Sequence, residues 1–162
     1  MNDDRTTRLD RMRYTKNTLS SGLALLSILF DVCFFISIYE SNVASWYYNY
    51  MMGISILYNL IFLLAAFLCS EGVKNYKMSY SWLMIVLGVI QLIRIGIYPM
   101  TAHAATVTIQ EQTVAVMGDG QFTRLVLYLL ISAACLFVGA VIGVIRSREL
   151  ASHLATLNKG AA

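Results

Sequence analysis

Four apolar stretches, at residues 19–39, 46–69, 80–100 and 124–145, take up over half of this 162-residue chain. Each is about the 20 residues that a helix needs to cross the hydrocarbon of a bilayer. A helix packed on a water-soluble core keeps one polar face, whereas these runs are apolar nearly all the way round. Only lipid or a very large core accepts such a helix, and a chain of this length cannot build that core. Composition agrees, because 58% of the residues are hydrophobic and 13% charged, well away from globular proportions. The expected fold is therefore all-α: an integral membrane protein with an up-down bundle of four transmembrane helices, multi-pass in the cell membrane and in direct contact with lipid.

The first run follows Arg5, Arg8, Arg11, Arg13 and Lys16, as a signal peptide follows its basic region. It is too long for that, Asp31 interrupts it, and no small-x-small cleavage site closes it, so it reads as a retained span. Cys33, Cys69 and Cys135 fall singly in three different runs. They form no CxxC pair and no zinc spacing, and small buried side chains are the simpler reading.

Lysine and arginine set the orientation. Residues 1–18 carry five, the second loop carries Lys74 and Lys77, and the tail at 146–162 carries Arg146, Arg148 and Lys159. Residues 40–45 and 101–123 carry none, and Arg124 opens the fourth run. The positive-inside rule places both termini and the second loop in the cytoplasm and the 101–123 loop outside. The net charge of +3 is thus a matter of membrane orientation, and no nucleic-acid partner is expected. Tyr39, Trp46, Tyr47, Tyr48, Tyr50 and Tyr98 cluster at the expected outer border, with Tyr14, Tyr76, Tyr80 and Trp82 at the inner one. Such rings favour the headgroup level and read as anchors.

Short first and second loops make consecutive helices antiparallel neighbours. The third loop is much longer than connection requires. Within it, Thr106-Val107-Thr108-Ile109 and Thr113-Val114-Ala115-Val116 flank Gln110-Glu111-Gln112, which predicts a small β-hairpin, and Gly118-Asp119-Gly120 predicts a turn into the last helix. In the tail, Leu150, Leu154 and Leu157 share one helical face, as in a short amphipathic helix that continues from the fourth span and lies on the inner membrane surface or against a partner.

Asp31 is the least expected residue, since an ionised side chain near the middle of a span costs about 2.5 to 3.5 kcal/mol. Arg94 lies as deep in the third run. At 1.5 Å per residue the two sit about 18 and 21 Å from the inner border, so they can pair. Gln91 shares the Arg94 face, Ser27 shares the Asp31 face, and Asn59 with Ser55 makes a polar stripe on the second helix. Two readings compete for this intramembrane polar cluster of Asp31, Arg94, Gln91 and Asn59. In one, the Asp31 carboxylate titrates and couples to a transported solute. In the preferred one, opposite charges at matched depth satisfy each other and fix helix register.

Cys135, Gly139 and Gly143 recur every four residues on the last helix and form a face of small side chains for helix packing. Adjoined by the long loop and the leucine stripe, that face is expected to make the fourth helix the docking surface for another membrane protein or a second copy. His103 and His153 lie outside the spans on opposite sides, so no metal and no cofactor is expected. No activated nucleophile or water-facing acid–base pair is present either, which argues against an enzyme. The functional expectation is a non-enzymatic accessory or scaffold subunit of a larger membrane assembly, with a transporter as the candidate host. The alternative is a small homodimeric ion- or proton-coupled transporter built around Asp31. Against it, the only proline, Pro99, stands at a helix end and does not break a span.

Overall fold

The computed structural model describes residues 7, 9–12, 15–38, 49–109 and 112–160. Residues 9–12 are helical and precede α1 (Thr18–Ile38); then come α2 (Asn49–Lys74), α3 (Met78–Ile97), a short α4 (Pro99–Ala104), strands β1 (Thr106–Ile109) and β2 (Gln112–Ala115), and α5 (Asp119–Gly160). The first connection at 40–45 lies outside the described residues, as do Arg5, Arg8, Arg13, Tyr14, Tyr39, Trp46, Tyr47 and Tyr48.

Among the described residues, four helices are long and apolar enough to cross a membrane. They close into a ring in which α1 packs on α2, α2 on α3, α3 on α5 and α5 on α1, the arrangement of an up-down bundle. Their outward faces carry large apolar side chains, among them Leu29, Ile61, Leu64 and Val138, each more than half exposed. A surface of that kind suits hydrocarbon better than water.

The inward faces form two apolar layers. Near the chain termini, Ala24, Phe62, Ala66, Met84, Leu136 and Ala140 pack together. At the other end Phe34, Ile38, Leu125 and Leu129 are covered by Ala102, Val116 and Met117. The long third loop is therefore a lid on its own bundle. Its fixings are the Val116 N–H donating to the Ala105 carbonyl at 3.1 Å and the Gln121 amide donating to the Ser37 carbonyl at 2.9 Å. The cover is made by the short α4 and by residues 116–117, where the chain leaves the hairpin. The strands pair antiparallel, Thr106 opposite Ala115 and Ile109 opposite Gln112, so β2 begins one residue before the alternation suggested.

Helix borders follow local chemistry. Helix α2 ends in a Schellman motif: Lys77 N–H donates to the Gly72 carbonyl and Tyr76 N–H to the Val73 carbonyl. Tyr76 takes the left-handed conformation at φ 56°, a position usually held by glycine. Gly72, inside the last turn, lies against the Tyr80 ring so closely that a Cβ there would overlap it. Helix α3 stops before Pro99, which cannot donate the next helical hydrogen bond and instead opens α4.

Helix α5 runs unbroken for 42 residues, about 63 Å at the ordinary rise, roughly twice the hydrocarbon thickness. Neither proline nor glycine occurs between Gly143 and Gly160, so nothing turns the chain at 146. The tail continues along the helix axis, as a helix running on from the fourth span. Its His153 ring is 2.9 Å from the Asp10 carboxylate, which brings residues 9–12 against it.

Candidate functional site: a buried polar layer

Between the two apolar layers lies a layer of polar side chains to which all four long helices contribute. Asp31 of α1 and Arg94 of α3 meet at 2.7 Å, Nη1 to Oδ1, with side chains 1% and 2% exposed. Gln91 Nε2 donates to the same carboxylate oxygen at 2.9 Å, one turn before Arg94. Arg94 Nη2 donates to Asn59 Oδ1 of α2 at 2.7 Å, and Asn59 Nδ2 donates to the Ser55 carbonyl of its own helix at 2.7 Å. The α5 contribution is Ser132, whose hydroxyl lies 3.3 Å from Gln91 Nε2 and donates to the Ser27 carbonyl at 3.0 Å.

The guanidinium also has an aromatic surround. Phe34 and Tyr58 present ring centroids 4.3 and 4.6 Å from Arg94 Cζ, and Tyr98 one at 5.8 Å. Arginine is weakly hydrated and stacks on rings, which suits it to this dry position. Tyr98 is thus a core residue, 9% exposed, and not the border anchor that its sequence position suggested. It stands one turn after Arg94, as Phe34 stands one turn after Asp31, so the i, i+4 and i, i+3 relations were legible signals of this cage.

The small-residue face of α5 is internal. A Cβ added at Gly139 would come 2.7 Å from Met84 Cε and 3.2 Å from Leu23 Cβ, and one at Gly143 would overlap the Ser81 hydroxyl and lie 3.2 Å from Val73 Cγ1. Cys135 is buried on the same side. The chain's own α1, α2 and α3 occupy this face, which corrects the expectation that it stands open to a partner. Its counterpart on α1 is a stripe of Ser20, Ala24, Ser27 and Asp31, all at most 1% exposed. Ser20 donates to the Gly139 carbonyl, and Ser21 and Ser70 share a hydrogen bond of 2.8 Å. That stripe repeats at i, i+4, i+7 and i+11, a helical signal that is present in the sequence of α1 and complements the small residues of α5.

Two features leave the polar layer less than closed. A cleft of about 170 Å³ between α1 and α2, walled by Val32, Phe35, Ile56, Leu60 and Leu63, reaches Asp31 and Asn59. Asp31 Oδ2 is buried and, among the described residues, has no hydrogen-bond partner. No three His, Cys, Asp or Glu side chains among the described residues stand close enough to share a metal ion. Compared with protein-family models, with curated proteins and with solved structures, the chain matches none significantly.

Proposed function

We propose that this chain is a non-enzymatic accessory or scaffold subunit of a larger membrane assembly, with a transporter as host, spanning the cell membrane four times with both termini cytoplasmic. The observation that carries this reading is the sharing of the central charges among the four helices. Arg94 and Asp31 neutralise each other, and each is further bound by a different helix or ring, so the layer acts as a clasp that fixes register. A carrier needs a central group that exchanges its partner for solute, and a clasp of this kind resists that exchange.

With the small-residue face internal and the loop folded on its own bundle, the part of α5 that offers a partner an apolar surface outside the bilayer is its projecting end. Leu154 and Leu157 are exposed there, beyond the apolar span, in line with Leu150. Apolar side chains one turn apart on a helix outside the bilayer suit a helix-in-groove contact. Purification from the native membrane in mild detergent should give a stoichiometric partner, and ending the chain at Ser147 should release it without disturbing the bundle. A full-length protein that purifies alone would remove the proposal.

A second reading, the proton-coupled transporter, is favoured by the α1/α2 cleft that reaches Asp31 and by its unpartnered oxygen. It requires a proton-dependent flux in liposomes that disappears in Asp31→Asn while the protein stays folded.

A further inference from the structure

At the terminus end of the bundle a cavity of about 290 Å³ opens between the N-terminal segment, the α2–α3 turn and α5. We propose that it binds a phosphate group, supplied by the headgroup of an anionic phospholipid. Among the described residues, Arg11, Lys16 and Arg146 line it against one carboxylate, Glu149, and Thr15 and Tyr76 add hydroxyl-bearing side chains to its wall. The Thr15 hydroxyl donates to the Arg11 carbonyl at 3.1 Å, and the excess of two positive charges with the Tyr76 phenol beside them is the chemistry that holds phosphate oxygens. The volume is several times the ~30 Å³ of one water, enough for a phosphate with part of its glycerol.

Two of these side chains are held in place by the surrounding backbone. Arg146 Nη1 donates at 2.9 Å to Oδ1 of the fully buried Asn17, whose own N–H donates to the Lys74 carbonyl at the end of α2. The cation is thus oriented from two helices. Tyr76 occupies the left-handed position of the α2 cap, where glycine would be unstrained, and places its side chain in the cavity wall. A strained residue that lines a cationic cavity points to a bound group.

The level in the membrane selects the source. Lys16 lies two residues before α1, Tyr76 joins α2 to α3, and Arg146 follows the last apolar residue of the α5 span, Ile145. The ends of the apolar stretches coincide there, at the height of lipid headgroups if the four helices span. Basic pockets between spans on the cytoplasmic side are suited to anionic headgroups.

The inference rests on the membrane-spanning reading, so the test separates the two. The full chain, purified in an uncharged detergent, is titrated with phosphatidylglycerol or phosphatidylcholine and lipid occupancy is read by native mass spectrometry, with inorganic phosphate as competitor. Phosphatidylglycerol should be retained in preference, and Lys16→Gln and Arg11→Gln should each weaken it about fivefold, the equivalent of about 1 kcal/mol per cation. Arg148→Gln, outside the cavity, should leave it unchanged. Displacement by millimolar inorganic phosphate with the same variant pattern would keep the site and assign it to a soluble phosphate compound. Equal retention of the two lipids, or equal weakening by all three variants, would overturn the proposal. A chain that washes from membranes at alkaline pH would instead overturn the spanning reading itself.

Discussion

Replacing Arg94 by Met keeps most of the side-chain volume and removes the charge. The change deletes the 2.7 Å ion pair with Asp31, the 2.7 Å hydrogen bond to Asn59 and the stacking on Phe34 and Tyr58. Asp31, itself 1% exposed, is left with Gln91 as its donor among the described residues. Removing one partner of a buried pair costs about 3 to 5 kcal/mol in water-soluble proteins. Polar contacts between membrane helices are weaker, averaging about 0.6 kcal/mol with a maximum near 1.7, which draws the expectation for Arg94→Met to about 3 kcal/mol. Asp31→Leu should cost less, about 2 kcal/mol, because Arg94 keeps Asn59 and its rings and those contacts continue to hold the cation. The double replacement leaves no isolated charge and only the amides of Asn59 and Gln91 short of partners, at about 2 kcal/mol. The two sites should therefore be coupled by about 3 kcal/mol. Equilibrium unfolding in mixed micelles, with sodium dodecyl sulfate as denaturant and helical circular dichroism as signal, measures all three variants on one scale. Single losses below about 1 kcal/mol that simply add would refute the clasp.

Other outcomes follow from the packing and the caps. Gly143→Leu and Gly139→Leu should lower the yield of folded monomer, since Ser81, Val73, Met84 and Leu23 already fill that space; overpacking of this kind costs about 1 to 3 kcal/mol or more, and thermal unfolding in detergent measures it. Tyr76→Gly should raise stability by up to about 1 kcal/mol by relieving the left-handed position, while weakening phosphatidylglycerol retention; a stability loss would show that the ring contributes more to packing than to the cavity. With the native cysteines replaced, a single cysteine at Thr113 should react with impermeant reagent in intact cells, and one at Lys77 only after permeabilisation. The reverse pattern would invert the proposed orientation.

The sequence displayed what depends on solvent and on helical period. Lipid-length apolar runs announce four helices because no other backbone satisfies itself in hydrocarbon. Matched depth brought Asp31 opposite Arg94 on arithmetic alone, and Gln91 and Asn59 followed from shared faces. What the sequence concealed depends on which neighbour fills a face. Cys135, Gly139 and Gly143 permit close approach whether the approaching backbone belongs to this chain or another, and only the serine stripe of α1 seated against them decides it. Tyr98 stands where a border anchor would, yet the pull of a buried guanidinium turns it inward. Ser132 gave no signal as one serine among apolar neighbours, because its role arises from the Gln91 side chain across the interface. The course of the tail was legible as well: without glycine or proline between Gly143 and Gly160, helix propagation costs less than a turn.

Whether the buried charges serve structure alone is settled most directly by the charge-free double variant, Asp31→Leu with Arg94→Met, isolated from the native membrane in mild detergent. The quantity to measure is the amount of co-purifying partner per molecule of folded protein. The clasp account predicts the wild-type ratio, with only the total folded yield reduced. A double variant that is folded and membrane-inserted but has lost the partner, or has lost a proton-dependent flux that the wild type shows, would contradict it.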